Sequence, residues 1–401
     1  MGLVPAAAGD LGRTGAGAAE AAPSGAVFMV VSGEQLETAR AVARHLPFAS
    51  YALNPYTDLT VPLADVDAIE RPVGFVVTPR AIAAARRAVR RALALAGGRR
   101  AVLVAGQDSG TVERAAIATA RAAGARFVMM PDGIPTDVRA LPPLRRRPAW
   151  LVKQLIDRAL VASRVLVGRR DHIFSSNPDL VLSWGRGWDA AIRRAAPDAV
   201  IADCGSPRSD GLASIAPPPG VGNILVCSQP LLVPQHDHQP SEKDVAVWYR
   251  WLSELDQARD PRVRVRLHPE EHSPRYRLPA ALRPLAAQPP RPVLEDIGWA
   301  DIVIAPFSTV LVEALAAGRV PMTAGGMAVW ARTAGNAFLE DPRMPCLDFR
   351  RSPGAEEVVA LADAHAAGAL ELREDYMAHI GSSSERSANA IASLGRGSSP
   401  V

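Results

Sequence analysis

A chain of 401 residues with 48% hydrophobic and 21% charged residues is long enough for two globular domains and does not have the composition of a disordered protein. Its net charge of +4 suits an anionic substrate or a membrane surface and gives little support to a nucleic-acid-binding protein. The three cysteines show no CxxC spacing, and no apolar run reaches the ~18 residues of a membrane-spanning helix. We therefore expect free thiols, no metal framework and a cytoplasmic location.

The first 25 residues are rich in Ala and Gly and lack the basic segment and apolar core of a signal peptide, which predicts a disordered tail. The strand VFMVV at Val27–Val31 then breaks at Ser32-Gly33, and a helix is expected from Glu34 to His45. In doubly wound α/β folds, ligands approach the sheet at such strand-to-helix turns.

Strands and helices continue to alternate through the first half at the spacing of βαβ units. The predicted elements are a basic amphipathic helix at Ile82–Leu95, a strand at Ala101–Ala105, a helix at Thr111–Ala123, a strand at Arg126–Met130, a helix from Trp150, a strand at Val181–Ser183, a helix from Trp188 and a strand at Val200-Ile201.

Residues 206–222 are dense in Pro, Gly and Ser, which predicts a linker, and the alternation restarts after them. The predicted elements are strands at Asn223–Cys227, Arg262–Leu267, Ile302–Ala305 and Val320–Met322, with helices at Glu242–Leu255 and Glu356–Ala367. The pattern predicts two Rossmann-like domains with parallel sheets, residues 26–205 and 223–380, facing each other across a cleft. Residues 381–401 are expected to form a tail or a helix.

Two common nucleotide-binding classes are disfavoured by the motifs. The chain has no G-x-G-x-x-G between a strand and a helix and no G-x-x-x-x-G-K-[ST]. A dinucleotide-dependent oxidoreductase and a P-loop nucleotidase are therefore poor candidates.

One candidate anion site follows the strand Ile302–Ala305. Pro306 ends the strand, and Ser308 and Thr309 stand where the next helix is expected to begin. Hydroxyls and free amides at a helix N-terminus bind anions, although the same residues also serve as simple helix caps.

Two further motifs lie at strand ends. His268 and Pro269 end the strand VRVRL, where an imidazole is able to bind or protonate a phosphate, or to serve only in a turn. Asp132 and Gly133 end the strand at Arg126–Met130, where a carboxylate is able to deprotonate a hydroxyl or to stabilise an Asx turn.

Glu313 and Glu295 are candidate ligands of a ribose, and each is also explained as a helix-surface charge. An H-x-H pair, His236 and His238, lacks an evident third metal ligand and is interpreted as part of a polar loop.

The chain resembles bacterial sialyltransferases and polysialyltransferases of the GT-B fold in three short motifs, which occur in the same order along the sequence: Asp132-Gly133, His268-Pro269 and Ser308-Thr309. The resemblance spans roughly residues 26–350 as short motifs. It implies that Asp132 is the general base on the acceptor hydroxyl and that His268 contacts or protonates the phosphate of CMP. It also implies that Ser308 and Thr309 hold that phosphate and that Glu295 binds the ribose.

The resemblance has a departure and leaves alternatives. The family usually has two acidic residues before the glycine, whereas this chain has Pro131 before Asp132. Glycerol-phosphate and Kdo transferases share the HP and serine-rich elements, although the aspartate that teichoic-acid polymerases carry near the serines is absent from Ala305-Pro306-Phe307. UDP-sugar 2-epimerases share the fold, but their acid-rich catalytic set is not found.

The predicted function is inverting, metal-independent transfer of a nonulosonic acid such as sialic acid from a CMP donor to a hydroxyl of a surface glycan. The alternative is a GT-B transferase using CDP-glycerol, CMP-Kdo or a UDP-sugar, and a silent nucleotide- or glycan-binding protein is a third option. No cofactor is expected besides the donor itself. The partners are the donor and a glycan or lipid-linked acceptor, with the basic helix and the LPPLRRR loop as candidates for contact with the inner face of the membrane.

Overall fold

The structure of the chain is a computed structural model. It describes residues 22–69, 77–134, 147–169, 173–218, 220, 222–229, 242–258, 260, 262–273, 278–289, 291–325 and 336–394. The LPPLRRR loop up to residue 146 and the pair His236 and His238 lie outside these residues, as do the first 21 residues. No helix in the described ranges is long and apolar enough to cross a membrane.

The N-terminal half contains a seven-stranded sheet in the order β3-β2-β1-β4-β5-β6-β7. Its strands are β1 Gly25–Met29, β2 Ala49–Asn54, β3 Leu59–Pro62, β4 Ala101–Ala105, β5 Arg126–Met129, β6 Leu180–Ser183 and β7 Val200–Asp203. All neighbours are parallel except β2 and β3, which form an antiparallel pair at the sheet edge. The strands β2 and β3 were not predicted, whereas the strands predicted in this half are parallel, as expected. The short connection between β2 and β3 favours a hairpin, which makes its two strands antiparallel.

Helices cover both faces of this sheet. They are α1 Gly33–Ala43, α2 Pro79–Leu95, α3 Thr111–Ala122, α4 Arg147–Ala162 and α5 Asp189–Ala195. In α2, Ala85, Ala88, Val89 and Ala92 recur at helical spacing and are buried, while most of its arginines lie on the opposite face. The strands β1 and β4 are apolar along their whole length because they are buried on both sides.

The C-terminal half contains a five-stranded parallel sheet in the order β12-β11-β10-β8-β9. Its strands are β8 Ile224–Cys227, β9 Val263–Arg266, β10 Ile302–Ala305, β11 Val320–Gly325 and β12 Cys346–Asp348. Its helices are α6 Glu242–Gln257, α7 Arg283–Ala286, α8 Val293–Trp299, α9 Val310–Ala316 and α10 Ala355–Tyr376. The strand β10 is the middle one, and all four of its residues are buried.

The chain crosses between the halves twice. The segment 206–222, predicted as a linker, contains a 3₁₀ helix at Pro207–Ser214. After α10, the chain returns to the N-terminal half as α11, Ser383–Ser393, which packs against α1. Asp210 of the crossing segment accepts hydrogen bonds from the backbone N–H groups of Ser383 and Ser384, at 2.7 and 2.8 Å. The crossing segment and the last helix are therefore joined at one place, which ties the two halves together.

Candidate functional site

Asp132 lies at the carboxyl end of β5, where the two halves meet. The Nε2 group of Gln35 donates a hydrogen bond to Asp132 Oδ2, and Gln35 Oε1 accepts one from the backbone N–H of Val31 at 2.7 Å. The second bond fixes the amide so that its NH₂ group faces the carboxylate. Burial raises the pKa of Asp132, and the hydrogen bond from Gln35 opposes this shift only in part. The carboxylate is thus a stronger base than an ordinary aspartate.

Space beside this carboxylate depends on Gly106, which follows β4. A Cβ atom at Gly106 would come within 2.9 Å of Asp132 Oδ2, a contact that real side chains do not make. The adjacent Gly133 faces the C-terminal half, since a Cβ atom there would lie 3.4 Å from the hydroxyl of Thr309. Asp132-Gly133 and Ser308-Thr309 are therefore brought together across the cleft, although 176 positions separate Gly133 from Thr309 in the sequence.

Ser308 and Thr309 form the turn between β10 and α9. Thr309 is the N-cap of this helix, which begins at Val310, as predicted, and has seven residues. Ser308 Oγ accepts a hydrogen bond from the N–H of Val310 at 3.3 Å. Gly318, at φ +74°, ends the helix in the left-handed conformation that glycine adopts readily. With so short a helix, the side-chain hydroxyls rather than a helix dipole are the groups that an anion would meet.

Arg208 of the crossing segment joins both halves at this point. Its guanidinium donates to Glu34 Oε2 at 3.2 Å, to Glu313 Oε1 at 2.6 Å and to the backbone carbonyl of Asp132 at 3.4 Å. Glu34 belongs to α1 and Glu313 to α9, so one side chain bridges the two domains. The arginine thereby places a positive charge beside Asp132.

The two glutamates predicted to bind ribose have different environments. Glu313 is 9% exposed and uses its Oε1 atom for the ion pair with Arg208, so it forms part of the cleft wall. Glu295 is exposed in the first turn of α8, and no described contact joins it to the cluster around Arg208. Its neighbour Asp296 is buried and pairs with Arg266 at 2.7 Å.

His268 lies directly beyond β9 and caps the 3₁₀ helix Pro269–His272. Its Nδ1 atom accepts a hydrogen bond from the N–H of Glu270 at 3.2 Å. Burial lowers the pKa of His268, while the negative charges of Glu270 and Glu34 oppose this shift. A neutral imidazole that accepts at Nδ1 carries its proton on Nε2, which is then available to a ligand.

The backbone of His268 is held by a buried carboxylate, Glu271. Its Oε2 atom accepts from the N–H of His268 at 2.8 Å, and its Oε1 atom accepts from the hydroxyls of Tyr249 at 2.6 Å and Ser228 at 3.0 Å. Burial raises the pKa of Glu271 to about 7, against these hydrogen bonds. Pro269 is exposed and begins the 3₁₀ helix, where its missing N–H costs no hydrogen bond.

The structure brings Asp132-Gly133 and Ser308-Thr309 close together, with Glu313 held nearby by Arg208, and it places His268 beyond the carboxyl end of β9. Sequence reasoning missed four residues that complete the arrangement: Glu34, Gln35, Arg208 and Glu271. The turn at residues 32–33 pointed to the region of the first two. Arg208 stands in a segment interpreted as a linker, where no pattern singles it out.

Comparisons with known proteins agree on the fold. No protein-family model and no curated protein sequence matches the chain significantly. A Listeria monocytogenes protein assigned as a UDP-N-acetylglucosamine 2-epimerase is similar over 93% of this chain and 96% of that chain, with 11% identity and a TM-score of 0.56.

Two other solved structures are similar to the same extent. For the kitacinnamycin glycotransferase the match covers 92% of this chain and 98% of that chain, with 16% identity and a TM-score of 0.52. For the wall teichoic acid polymerase TagF the match covers 92% of this chain and 88% of that chain, with 13% identity and a TM-score of 0.50. The chain has the GT-B fold, two Rossmann-like domains facing each other across a cleft.

Proposed function

We propose that the protein is a glycosyltransferase that moves a sugar from a nucleotide donor to a hydroxyl group in the cleft between its domains. The observation that carries this proposal is the approach of Gly133, the neighbour of Asp132, to the hydroxyl of Thr309 across that cleft, beside the bridge that Arg208 forms between Glu34 and Glu313. In this proposal the carboxylate of Asp132, the imidazole of His268 and the hydroxyls of Ser308 and Thr309 face the bound donor and acceptor. The similarity to the kitacinnamycin glycotransferase and to TagF supports transfer as the reaction class.

In this mechanism Asp132 is the general base. Its carboxylate accepts the proton of the acceptor hydroxyl, whose oxygen forms the new bond to the anomeric carbon of the donor. A raised pKa makes the carboxylate a better proton acceptor, and the hydrogen bond from Gln35 holds it in position. Attack from the side opposite the departing phosphate inverts the configuration at the anomeric carbon.

The departing phosphate takes the electron pair of the breaking bond. Ser308 and Thr309 donate hydrogen bonds to it, and His268 donates its Nε2 proton to the developing charge. In this proposal these side chains, rather than a divalent cation, stabilise the leaving group.

The donor that we favour is a CMP-activated nonulosonic acid, such as CMP-sialic acid. The three motifs resemble those of sialyltransferases and polysialyltransferases. In addition, the one arginine bridging the described parts of this cleft already neutralises Glu34 and Glu313, so little positive charge remains for a second phosphate. The product is a surface glycan or a lipid-linked precursor of one.

The alternative donor is CDP-glycerol, CMP-Kdo or a UDP-sugar in the synthesis of a cell-envelope polysaccharide. The similarity to TagF, a wall teichoic acid polymerase, supports a role in the synthesis of a cell-envelope polymer. Glu295 is exposed near the start of α8, and its proposed contact with a ribose requires the donor to extend to that surface.

The test is calorimetric titration of CMP, CDP and UDP into the wild type and into His268→Ala, Asp132→Asn and Asp198→Asn. Asp198 is an exposed aspartate of the same domain as Asp132 and is the matched control. We expect CMP to bind, His268→Ala to weaken binding at least about tenfold, and both aspartate variants to bind as the wild type does.

Transfer from CMP-sialic acid to a glycan acceptor is then measured in the same proteins. Asp132→Asn is expected to lower turnover by about 10²–10⁴-fold, whereas Asp198→Asn keeps it. Binding of CDP or UDP without CMP would overturn the donor assignment and keep the transferase. If none of the three nucleotides binds, the proposal fails.

A further inference from the structure

One surface of the N-terminal domain is apolar and exposed. Leu151, Val152, Leu155 and Ile156 share one side of α4, and each is between 54% and 64% exposed. Four large aliphatic side chains at helical spacing on an exposed face are unusual for a surface helix and mark an interaction surface. We call this the α4 face.

The helix is fixed to the domain from its other side. Asp157 of α4 is buried and accepts hydrogen bonds from both terminal nitrogens of Arg114 in α3, at 2.6 and 3.0 Å. The pair orients α4 so that the α4 face points away from the domain. Its exposure is therefore built into the packing.

A groove of about 510 Å³ separates α4 from α2. Ile82 and Ala83 of α2 line one wall, and Ile156 and Leu160 of α4 line the other. Thr111, the first residue of α3, which follows β4 after a loop of residues 106–110, also lines it. The groove therefore opens at the same edge of the sheet as Asp132, since β5 is the neighbour of β4.

The charge around this groove is almost wholly positive. The helix α2 contains five arginines and no acidic residue. The helix α4 contains one acidic residue, Asp157, and Arg114 neutralises its charge. Arg80, Arg87 and Arg90 are exposed, and Arg86 and Lys153 line the groove. An apolar face beside a field of arginines is complementary to one environment in particular, the interface of a bilayer that contains anionic lipids.

We propose that α2 and the α4 face form a docking surface for an anionic lipid bilayer. The aliphatic side chains of α4 enter the region between headgroups and acyl chains, and the arginines of α2 contact the lipid phosphates. Docked in this way, the domain presents the sheet edge that carries Asp132 to the membrane. This inference does not depend on the identity of the donor or on catalysis.

The experiment is co-sedimentation of the full chain with phosphatidylcholine vesicles, with and without about a quarter phosphatidylglycerol, at low and high salt. The wild type is expected to bind the anionic vesicles at low salt and to bind the neutral vesicles only weakly. High salt is expected to release it from the anionic vesicles. The double variant Leu155→Glu/Ile156→Glu is expected to lower the partition coefficient about tenfold or more. Leu370→Glu is the matched control, because Leu370 is 61% exposed on α10.

A second pair of variants tests the charge. Arg87→Glu/Arg90→Glu is expected to abolish the preference for anionic vesicles, whereas Arg250→Glu, at an exposed arginine of α6, is expected to retain it. All variants change exposed side chains, and circular dichroism checks that each remains folded.

Three outcomes would overturn the proposal. One is equal binding by the wild type and folded Leu155→Glu/Ile156→Glu, and another is failure of the wild type to bind anionic vesicles. The third is a wild-type dimer in the ultracentrifuge that this variant converts to monomers, because the α4 face would then be a contact between two copies.

Discussion

Replacing Glu271 with glutamine removes a titratable group that lies under the HP turn and keeps its size. The wild-type carboxyl is 1% exposed, and burial raises its pKa from the usual 4.5 to about 7. Because the folded state holds the proton more tightly than the unfolded state, this group favours folding below pH 4.5. The contribution is lost as the pH rises through about 7.

The size of the effect follows from the two pKa values. At 1.36 kcal/mol for each pKa unit, the full loss is about 3 kcal/mol, of which about 2.5 kcal/mol falls between pH 5 and pH 8. Glutamine does not titrate, so Glu271→Gln is expected to lack this part of the pH dependence.

The assay is urea denaturation of the wild type and Glu271→Gln at several pH values between 5 and 8. Glu270→Gln is the matched control, since Glu270 is the exposed neighbour of Glu271. The wild type and the control are expected to lose more stability than Glu271→Gln over this range, by about 2.5 kcal/mol.

A second readout follows from the hydrogen bonds. Glutamine has one acceptor oxygen where the carboxylate has two, so its NH₂ group must face either the N–H of His268 or the hydroxyls of Tyr249 and Ser228. Because these hydroxyls accept as well as donate, the glutamine is expected to keep its oxygen toward the N–H of His268, and nucleotide binding at His268 is expected to stay close to that of the wild type. Parallel pH profiles for the wild type and Glu271→Gln would refute the reasoning, because the carboxyl would then titrate as an exposed one.

Three other predictions concern the cleft and the thiols. Arg208→Gln leaves Glu313 without its cation and is expected to lower the free energy of unfolding, measured in urea, by about 2 kcal/mol. Adding Glu313→Gln is expected to restore most of the lost stability. An Arg208→Gln variant as stable as the wild type would contradict this prediction. Gly106→Ala brings a methyl group against the Asp132 carboxylate and is expected to lower turnover while CMP affinity stays the same, which transfer assays and calorimetry measure together. Cys346 is exposed, whereas Cys204 and Cys227 are buried. A disulfide-exchange reagent is therefore expected to label one thiol in the native protein and three in urea. Rapid labelling of all three thiols in the native protein would show that Cys204 and Cys227 are not buried.

Much of the fold follows from local pattern. The boundaries of the strands at Ala101–Ala105 and Ile302–Ala305 are as predicted, because each is a short apolar run between polar turns. The hairpin of β2 and β3 was missed, since β3 and the first half of β2 are at most partly buried and the two strands show no clear apolar alternation. The helix α11 was left open as tail or helix, because its buried face contains serines and alanines and lacks a strong apolar stripe.

The candidate site divides in the same way. Asp132, His268, Ser308 and Thr309 stand at strand ends, where the type of residue and the break in pattern are visible in the sequence. Glu271 was missed because a glutamate in a turn looks like a surface charge until its burial is known.

The sequence by itself determined the alternation of strands and helices, the two sheets and the residues at the ends of their strands, because these depend on the apolar periodicity of neighbouring residues. The tertiary structure decided which of those ends face each other. Arg208 contacts Glu34 and Glu313, which are 174 and 105 positions away, and Gly133 meets Thr309. Contacts of this separation depend on how the two domains pack, and so do the burial and the pKa shifts that result from it.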